Sequence, residues 1–240
     1  MNNTFKWYDF ILPVVAISLA VGYAMYVIAF PAHSMVAFFI TSDVILSSLR
    51  THLYLVGLSM GLAILVAVPL GILLTRRQFK KLTPYVVGVV NIGQTVPSFA
   101  VIALFVGILG IGERTAIFAL WVYSLLPILN NTIAGINGVD RAIIDASQGM
   151  GMTRVHTLSK IEVPLAMPVI MAGIRTAVVI NAGTAVIASY VGAGGLGDII
   201  VTGLKIMQPQ ILILGAGYAA ITALLLDYVL GIAERLMPRA

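Results

Sequence analysis

Six stretches of this chain hold no Asp, Glu, Lys or Arg: Phe10 to Ser42, Thr51 to Thr75, Leu82 to Gly112, Thr115 to Val139, Thr176 to Gly197 and Ile206 to Leu226. Each reaches the ~20 residues with which an α-helix crosses a hydrocarbon core of about 30 Å. Apolar residues make up 60% of the 240 and charged residues only 10%. That is less than half the usual globular share of about 25%, so a soluble fold of this length could not cover its surface. The pattern predicts an all-α membrane protein with about six transmembrane helices, at roughly 9–30, 52–75, 83–111, 115–135, 166–191 and 208–233. The apolar run from Phe10 to Phe30 exceeds the ~7–15 residues of a signal-peptide core, and only Lys6 precedes it. The first span is therefore expected to be retained.

Sidedness follows from the 14 Lys and Arg. With the N-terminus inside, the inner side receives Lys6, Arg76, Arg77, Lys80, Lys81, Arg141, Arg154, Lys160, Arg235 and Arg239, and the outer side only Arg50, Arg114 and Lys205. Arg175 lies just within the fifth span near the inner side. Such an excess marks the cytoplasmic face, so both termini are expected there, with the longest inner loop at about 136–165. The scatter of basic residues between spans also argues against nucleic acid as the reason for the net charge of +5.

Several chemistries drop out. The chain has no cysteine, hence no disulfide and no thiolate metal site. His33, His52 and His156 are far apart and on different sides of the membrane, so neither a metal cluster nor a catalytic dyad is expected. Without His-Glu-x-x-His or Gly-x-Ser-x-Gly an intramembrane enzyme is a poor reading. Without Gly-x-x-x-x-Gly-Lys-Ser/Thr the chain is not expected to hydrolyse ATP. Gly192-Ala193-Gly194-Gly195-Leu196-Gly197 spells a dinucleotide fingerprint, yet it lies at the outer end of the fifth span with no acid about 20 residues later. A flexible turn between spans five and six, near an outer gate, fits better.

Pro69, Pro97 and Pro127 lie inside apolar runs, where each removes a backbone hydrogen bond and favours a kink. Polar Gln94, Thr95 and Ser98 flank Pro97 in the third span, and Asn181 and Thr184 lie in the fifth. Such residues at membrane depth line a water-filled path or pack helices together; the path is the reading adopted for Gln94, Thr95, Pro97, Ser98, Asn181 and Thr184. Arg175 and Asp227 are the charged residues well inside spans five and six, some 9–14 Å from the inner boundary at ~1.5 Å per residue. Either they pair, or Arg175 snorkels while Asp227 bonds to another helix. Trp121, Tyr123 and Tyr190 offer cation–π faces to a quaternary ammonium, although aromatics near span ends more often anchor at the interface.

The inner loop differs from its surroundings. Asp140, Arg141, Asp145, Arg154, Lys160 and Glu162 lie in it, and two short amphipathic helices fit. The first is capped by Asp140, carries Ile143, Ile144 and Ser147, and ends at Gly149-Met150-Gly151. The second follows Thr153, presents Val155, Leu158 and Ile161, and stops before Pro164. An exposed apolar stripe on such an element needs a partner to cover it.

These residues carry a family resemblance. Asp145-Ala146-Ser147, three residues, Gly151, nine residues and Ile161-Glu162-Val163-Pro164 resemble the bacterial ABC importer permease signature of Glu-Ala-Ala, three residues, Gly, nine residues and Ile-x-Leu-Pro. Asp145, Ser147 and Val163 depart from it mildly. The resemblance implies a type I ABC importer permease bundle with cytoplasmic coupling helices, in which Asp145, Ala146, Ser147, Gly151, Ile161 and Pro164 meet the ATPase. It divides the chain into an N-terminal helix and connector (1–50) and a permease core (51–240) with its coupling region at 137–164. It implies a bacterial inner-membrane location and no cofactor in this chain, with ATP and Mg in the partner. The partners implied are a second permease subunit, identical or related, two cytoplasmic ATPase subunits, and a separate periplasmic or lipid-anchored binding protein, since no such domain is fused here. Membrane lipid surrounds the whole. Thr51-His52-Leu53, Pro69-Leu70-Gly71-Ile72, Gln94-Thr95-Val96-Pro97-Ser98 and Val191 to Gly197 resemble the osmoprotectant branch, which handles glycine betaine, choline and carnitine; the last segment also resembles methionine permeases. The alternative from another class is a stand-alone secondary transporter or channel, which has no use for a docking element on the inner loop.

Overall fold

The computed structural model describes residues 10–236. Lys6, Arg239 and the expected start of the first span lie outside the described residues. Within them every regular element is helical: α1 (Ile11–Ala29), α2 (Ser34–Phe39), α3 (Ser42–Thr75), α4 (Thr83–Thr95), α5 (Ser98–Leu109), α6 (Glu113–Asn137), α7 (Arg141–Gly149), α8 (Arg154–Thr157), α9 (Val163–Thr184), α10 (Leu196–Lys205) and α11 (Pro209–Leu236). Among the described residues five helices are long and apolar enough to cross a membrane, and α4 with α5 forms a bent pair that makes a sixth when taken as one span.

Three boundaries differ from expectation, each for a local reason. Helix α3 begins at Ser42, because the Thr41 hydroxyl accepts the Val44 N–H at 3.3 Å and Asp43 complements the helix dipole. The division drawn at residue 50 thus falls inside a 34-residue helix. The third span is not one rod: α4 and α5 meet at 98°. Val96, which precedes Pro97, is pushed out of the helical region to ψ 129°, and the axis breaks there. Nor does a helix stop before Pro164. From Arg154 to Val191 the chain is continuous over 38 residues. A π turn at Leu158–Glu162, with the Val163 N–H donating to the Leu158 carbonyl, widens the helix where the proline ring would otherwise strike the Lys160 carbonyl.

Contacts fix the directions of the helices. Asn181 bonds both Ser59 of α3 and Ser124 of α6, while Gly71 of α3 backs onto Thr132 of α6. Helices α3 and α6 therefore run parallel, and the chain between them must recross the bundle. The bent pair α4–α5 makes that crossing. Helix α9 runs back along α6, with Gly173 seated against Asn131, and α11 runs back along α9 through Arg175 and Asp227. Helix α1 lies antiparallel to α11: Ala32 N–H donates to Gln210 at one end, and Phe10 packs on Tyr228 at the other. Both ends of the described chain thus lie on the face that carries α7 and α8.

The interior is built on small side chains. Ala63, Ala67, Ala116, Ala119, Ala166, Ala177 and Ala182 are buried and allow close axes, around Leu55, Ile128, Leu129 and Ile170. Lipid gives no hydrophobic drive for helices to associate, so close van der Waals packing and polar bonds must hold them together. Leu19 and Met25 of α1, and Phe30 just after it, point outward, as a lipid-facing belt requires.

Candidate functional site

The α7–α8 element is a small, internally fixed unit. The Asp140 carboxylate accepts the Ala142 N–H at 2.9 Å and the Thr153 hydroxyl accepts the His156 N–H at 3.3 Å, capping both helices. Between them Gly151 has φ +88°, a left-handed backbone that side chains disfavour. Buried Ser147 faces buried Thr157 with hydroxyls 3.1 Å apart, joining the helices across the bend. Asp145, Ala146, Gly151 and Pro164 are exposed and Ile161 is half-buried. At the tip Met150 and Val155 stand 78% and 76% exposed, two apolar side chains with nothing of this chain over them.

This element is tied to α3. Arg76 forks onto Glu162, with Nη1 to Oε1 at 3.1 Å and Nη2 to Oε2 at 2.6 Å, and also donates to the Thr75 hydroxyl. The Glu162 carboxylate is nearly buried, so the paired guanidinium offsets its desolvation. Reading the sequence missed this pair: Arg76 counted only as an inner-side charge, and Glu162 as one of the inner loop's charges and a variable position of the signature.

A second cluster forms where α4 meets α5. Pro127 has no N–H, which leaves the Tyr123 carbonyl one turn earlier without its helical donor. Gln94 Nε2 fills that place at 3.1 Å, and the Tyr123 hydroxyl donates to the Val96 carbonyl at the bend. One residue of α6 therefore clamps the break on both sides. Tyr123 is buried in this role and is neither an interfacial anchor nor an exposed ring. Helix α4 has no buried residue, so the bend lies on the rim of the bundle. Thr95 and Pro97 are exposed there, and Gln94 and Ser98 half-buried. Tyr190, on the 3-10 segment Ala185–Val191, packs edge-on against Phe99 at 5.5 Å and brings the end of α9 to the same rim. Half-buried Thr184 donates to its own helix at Ile180. Trp121 packs against Phe118.

Asn181 is placed differently from the other polar residues expected on a path. It is fully buried, and its Nδ2 lies 2.9 Å from Ser59 Oγ, 2.7 Å from Ser124 Oγ and 3.2 Å from the Leu120 carbonyl. It locks α3, α6 and α9 together behind the rim and reaches no open surface of this chain.

Arg175 and Asp227 meet in a fork, with Nε to Oδ1 and Nη2 to Oδ2 both at 3.0 Å. Glu234 is a second acidic partner of Arg175, bound by Nη1 at 2.9 Å. Asp227 and Glu234 share a face of α11, two turns apart, a spacing that was open to a sequence reading which stopped at the last apolar residue. Gly231 leaves room between them, its missing Cβ only 3.3 Å from the guanidinium.

His52, unassigned from the sequence, is fully buried near the other end of α3. Its Nε2 lies 3.1 Å from the Ala182 carbonyl, just before α9 tightens into the 3-10 segment, and Gly195 packs on its ring. Gly197 is required by contact alone: a Cβ there would lie 2.0 Å from the Val186 carbonyl oxygen. Among the described residues no cluster of His, Asp and Glu could hold a metal ion.

Residues 67–239 match the family described as binding-protein-dependent transport system inner membrane component. The glycine betaine/carnitine/choline transport system permease protein OpuCB of Bacillus subtilis (strain 168) is 48% identical over 184 residues, covering 77% of this chain and 84% of that protein. The osmoprotectant import permease protein OsmY of Salmonella typhimurium is 45% identical over 190 residues, 79% of this chain and 80% of that protein. Among solved structures, the inward-facing MetNI methionine ABC transporter matches with a TM-score of 0.74 at 22% identity, covering 82% of this chain and 97% of that one, a likeness of fold. With its family model covering most of its length and its relatives nearly half identical, the chain belongs to the binding-protein-dependent transport system inner membrane components.

Proposed function

We propose that this chain is the permease subunit of an ATP-driven importer of compatible solutes such as glycine betaine, choline or carnitine. The observation that carries this reading is the 48% identity, over 77% of the chain, to a permease named for those solutes. The likeness to a methionine transporter is one of fold alone and favours no amino acid. The exposed, rigid α7–Gly151–α8 element supports docking of a cytoplasmic ATPase, with Asp145, Ala146, Ser147, Gly151, Ile161 and Pro164 as the coupling set and ATP and Mg in that partner. The pin from Glu162 to Arg76 would pass its displacement directly to α3. A stand-alone carrier or channel leaves that surface without a purpose.

A second permease subunit, identical or related, would close the path. Gln94, Thr95, Pro97 and Ser98 lie at the rim of one chain and Thr184 would join them in the path, so a lining there needs a second wall. Asn181 would serve by holding the three helices behind it. A separate binding protein would deliver solute at the face opposite α7 and α8. Both termini would be cytoplasmic in a multi-pass inner-membrane protein. Purifying the tagged chain should bring an ATPase with it, and membranes should take up labelled betaine, choline or carnitine in preference to methionine. Purification without an ATPase, or uptake of methionine alone, would refute this reading.

A further inference from the structure

The face that carries α7 and α8 opens into a cleft of about 570 Å³. Its lining holds Arg76, Arg77, Lys80, Arg141 and Arg154, and among the described residues Glu162 is the sole acid in it. Glu162 is already paired with Arg76, whereas Arg77, Lys80, Arg141 and Arg154 form no ion pair among the described residues. Four like charges around one concavity repel each other, and no described acid besides the paired Glu162 lines it. Ile136, Val139, Ile144, Val155 and Leu158 add apolar side chains to the same lining.

Position and lining narrow the choice of anion. Thr75 ends α3, Asn137 ends α6, and both line the cleft. It therefore sits at one end of the bundle, beside the ends of two candidate spans. A free phosphate would leave both the apolar side chains and most of the volume unused. An acidic protein segment would satisfy the charges but leave the apolar lining unmatched. A molecule with a phosphodiester at one end and hydrocarbon at the other matches both parts of the lining, and basic pockets between membrane helices bind such headgroups.

We propose that this cleft is a binding site for the headgroup of an anionic phospholipid, with its phosphodiester held among Arg77, Lys80, Arg141 and Arg154. The lipid would bridge the α3–α4 connection to α7 and α8, acting as a removable brace on the docking element. This rests on the chain being membrane-embedded and not on the ATPase partnership.

The test titrates the full-length chain in detergent with fluorescent phosphatidylglycerol, using phosphatidylcholine as the control lipid. Saturable binding of the anionic lipid alone is expected. Each of Arg77→Gln, Lys80→Gln, Arg141→Gln and Arg154→Gln should weaken it about five-fold, the equivalent of ~1 kcal/mol per cation. Lys160→Gln, nearby but outside the cleft, should leave it unchanged. Equal binding of phosphatidylcholine, or undiminished binding in the single variants, overturns the proposal. So does displacement of the lipid by millimolar inorganic phosphate, which would mark a site for the free ion. Loss of a co-purifying ATPase from these variants with lipid binding intact would assign the cleft to an acidic protein surface, and overturns it too. If no ATPase accompanies even the wild-type chain while the titration behaves as expected, the lipid site stands and only the importer reading fails.

Discussion

At the scale of single residues the bend that Pro97 makes between α4 and α5 is clamped onto α6 through one missing hydrogen. Pro127 cannot donate to the Tyr123 carbonyl, so Gln94 does, at 3.1 Å. Replacing Gln94 with Leu should leave that acceptor unpaired and destabilise the purified protein by about 1–2 kcal/mol. Pro127→Ala restores a backbone N–H to the same carbonyl, so in that background Gln94→Leu should cost much less. Thermal unfolding of the four variants forms a double-mutant cycle, and strictly additive effects would refute this account of Gln94. Both residues are conspicuous in the sequence. Their pairing is not, because a proline identifies the carbonyl it orphans but not the distant donor that answers it. Asn181 shows the converse: a polar residue at mid-membrane is equally compatible with a path and with an interhelical lock, and only its three partners decide.

At the scale of elements, the α7–α8 turn was legible because its parts are local. Asp140, Thr153 and Gly151 are capping and bend residues whose preferences act within a few positions, and all three adopt those roles. Pro164 misled because proline is read as a stop, whereas a π turn upstream absorbs it. Gly151→Ala meets no neighbour, so its cost is that of the backbone alone, about 1–2 kcal/mol at φ +88°. We expect Gly151→Ala and the bulkier Gly151→Leu to insert normally and to lose ATPase stimulation and transport; wild-type uptake by both would show that the bend is dispensable. The α9–α11 junction gives a second element-scale test. Arg175→Asp or Asp227→Arg alone should impair assembly, judged by yield and gel filtration, because each leaves like charges facing across a half-buried contact. Exchanging the two should rescue only in part, since Glu234 would then face Asp at position 175. Adding Glu234→Gln should complete the rescue. Equal behaviour of single and double variants would mean that the fork contributes nothing to assembly.

At the scale of the whole molecule, charge-free runs and the excess of basic residues were enough to count six crossings, because hydrocarbon thickness and membrane sidedness act on any sequence alike. They could not reveal that the third crossing is broken by 98°, since hydropathy measures length and not direction. That break makes the parallel course of α3 and α6 the decisive feature of the topology. If α4 and α5 dipped in and out on one side, α6 would have to run antiparallel to α3, and Arg76 could not reach Glu162. The chain has no cysteine, so single cysteines report cleanly on sides. Those at Gln78 and Thr153, both exposed, should react with an impermeant thiol reagent only from the cytoplasm, and one at Ile111, 81% exposed, only from outside. Ile111 is a better reporter than Gly112, whose φ of +118° would strain any side chain. Labelling of Gln78 and Thr153 from opposite sides would make the α4–α5 pair re-entrant and break the parallel α3–α6 arrangement. Labelling of both from outside would preserve the bundle but turn it over, and would place the α7–α8 element beyond the reach of any ATPase.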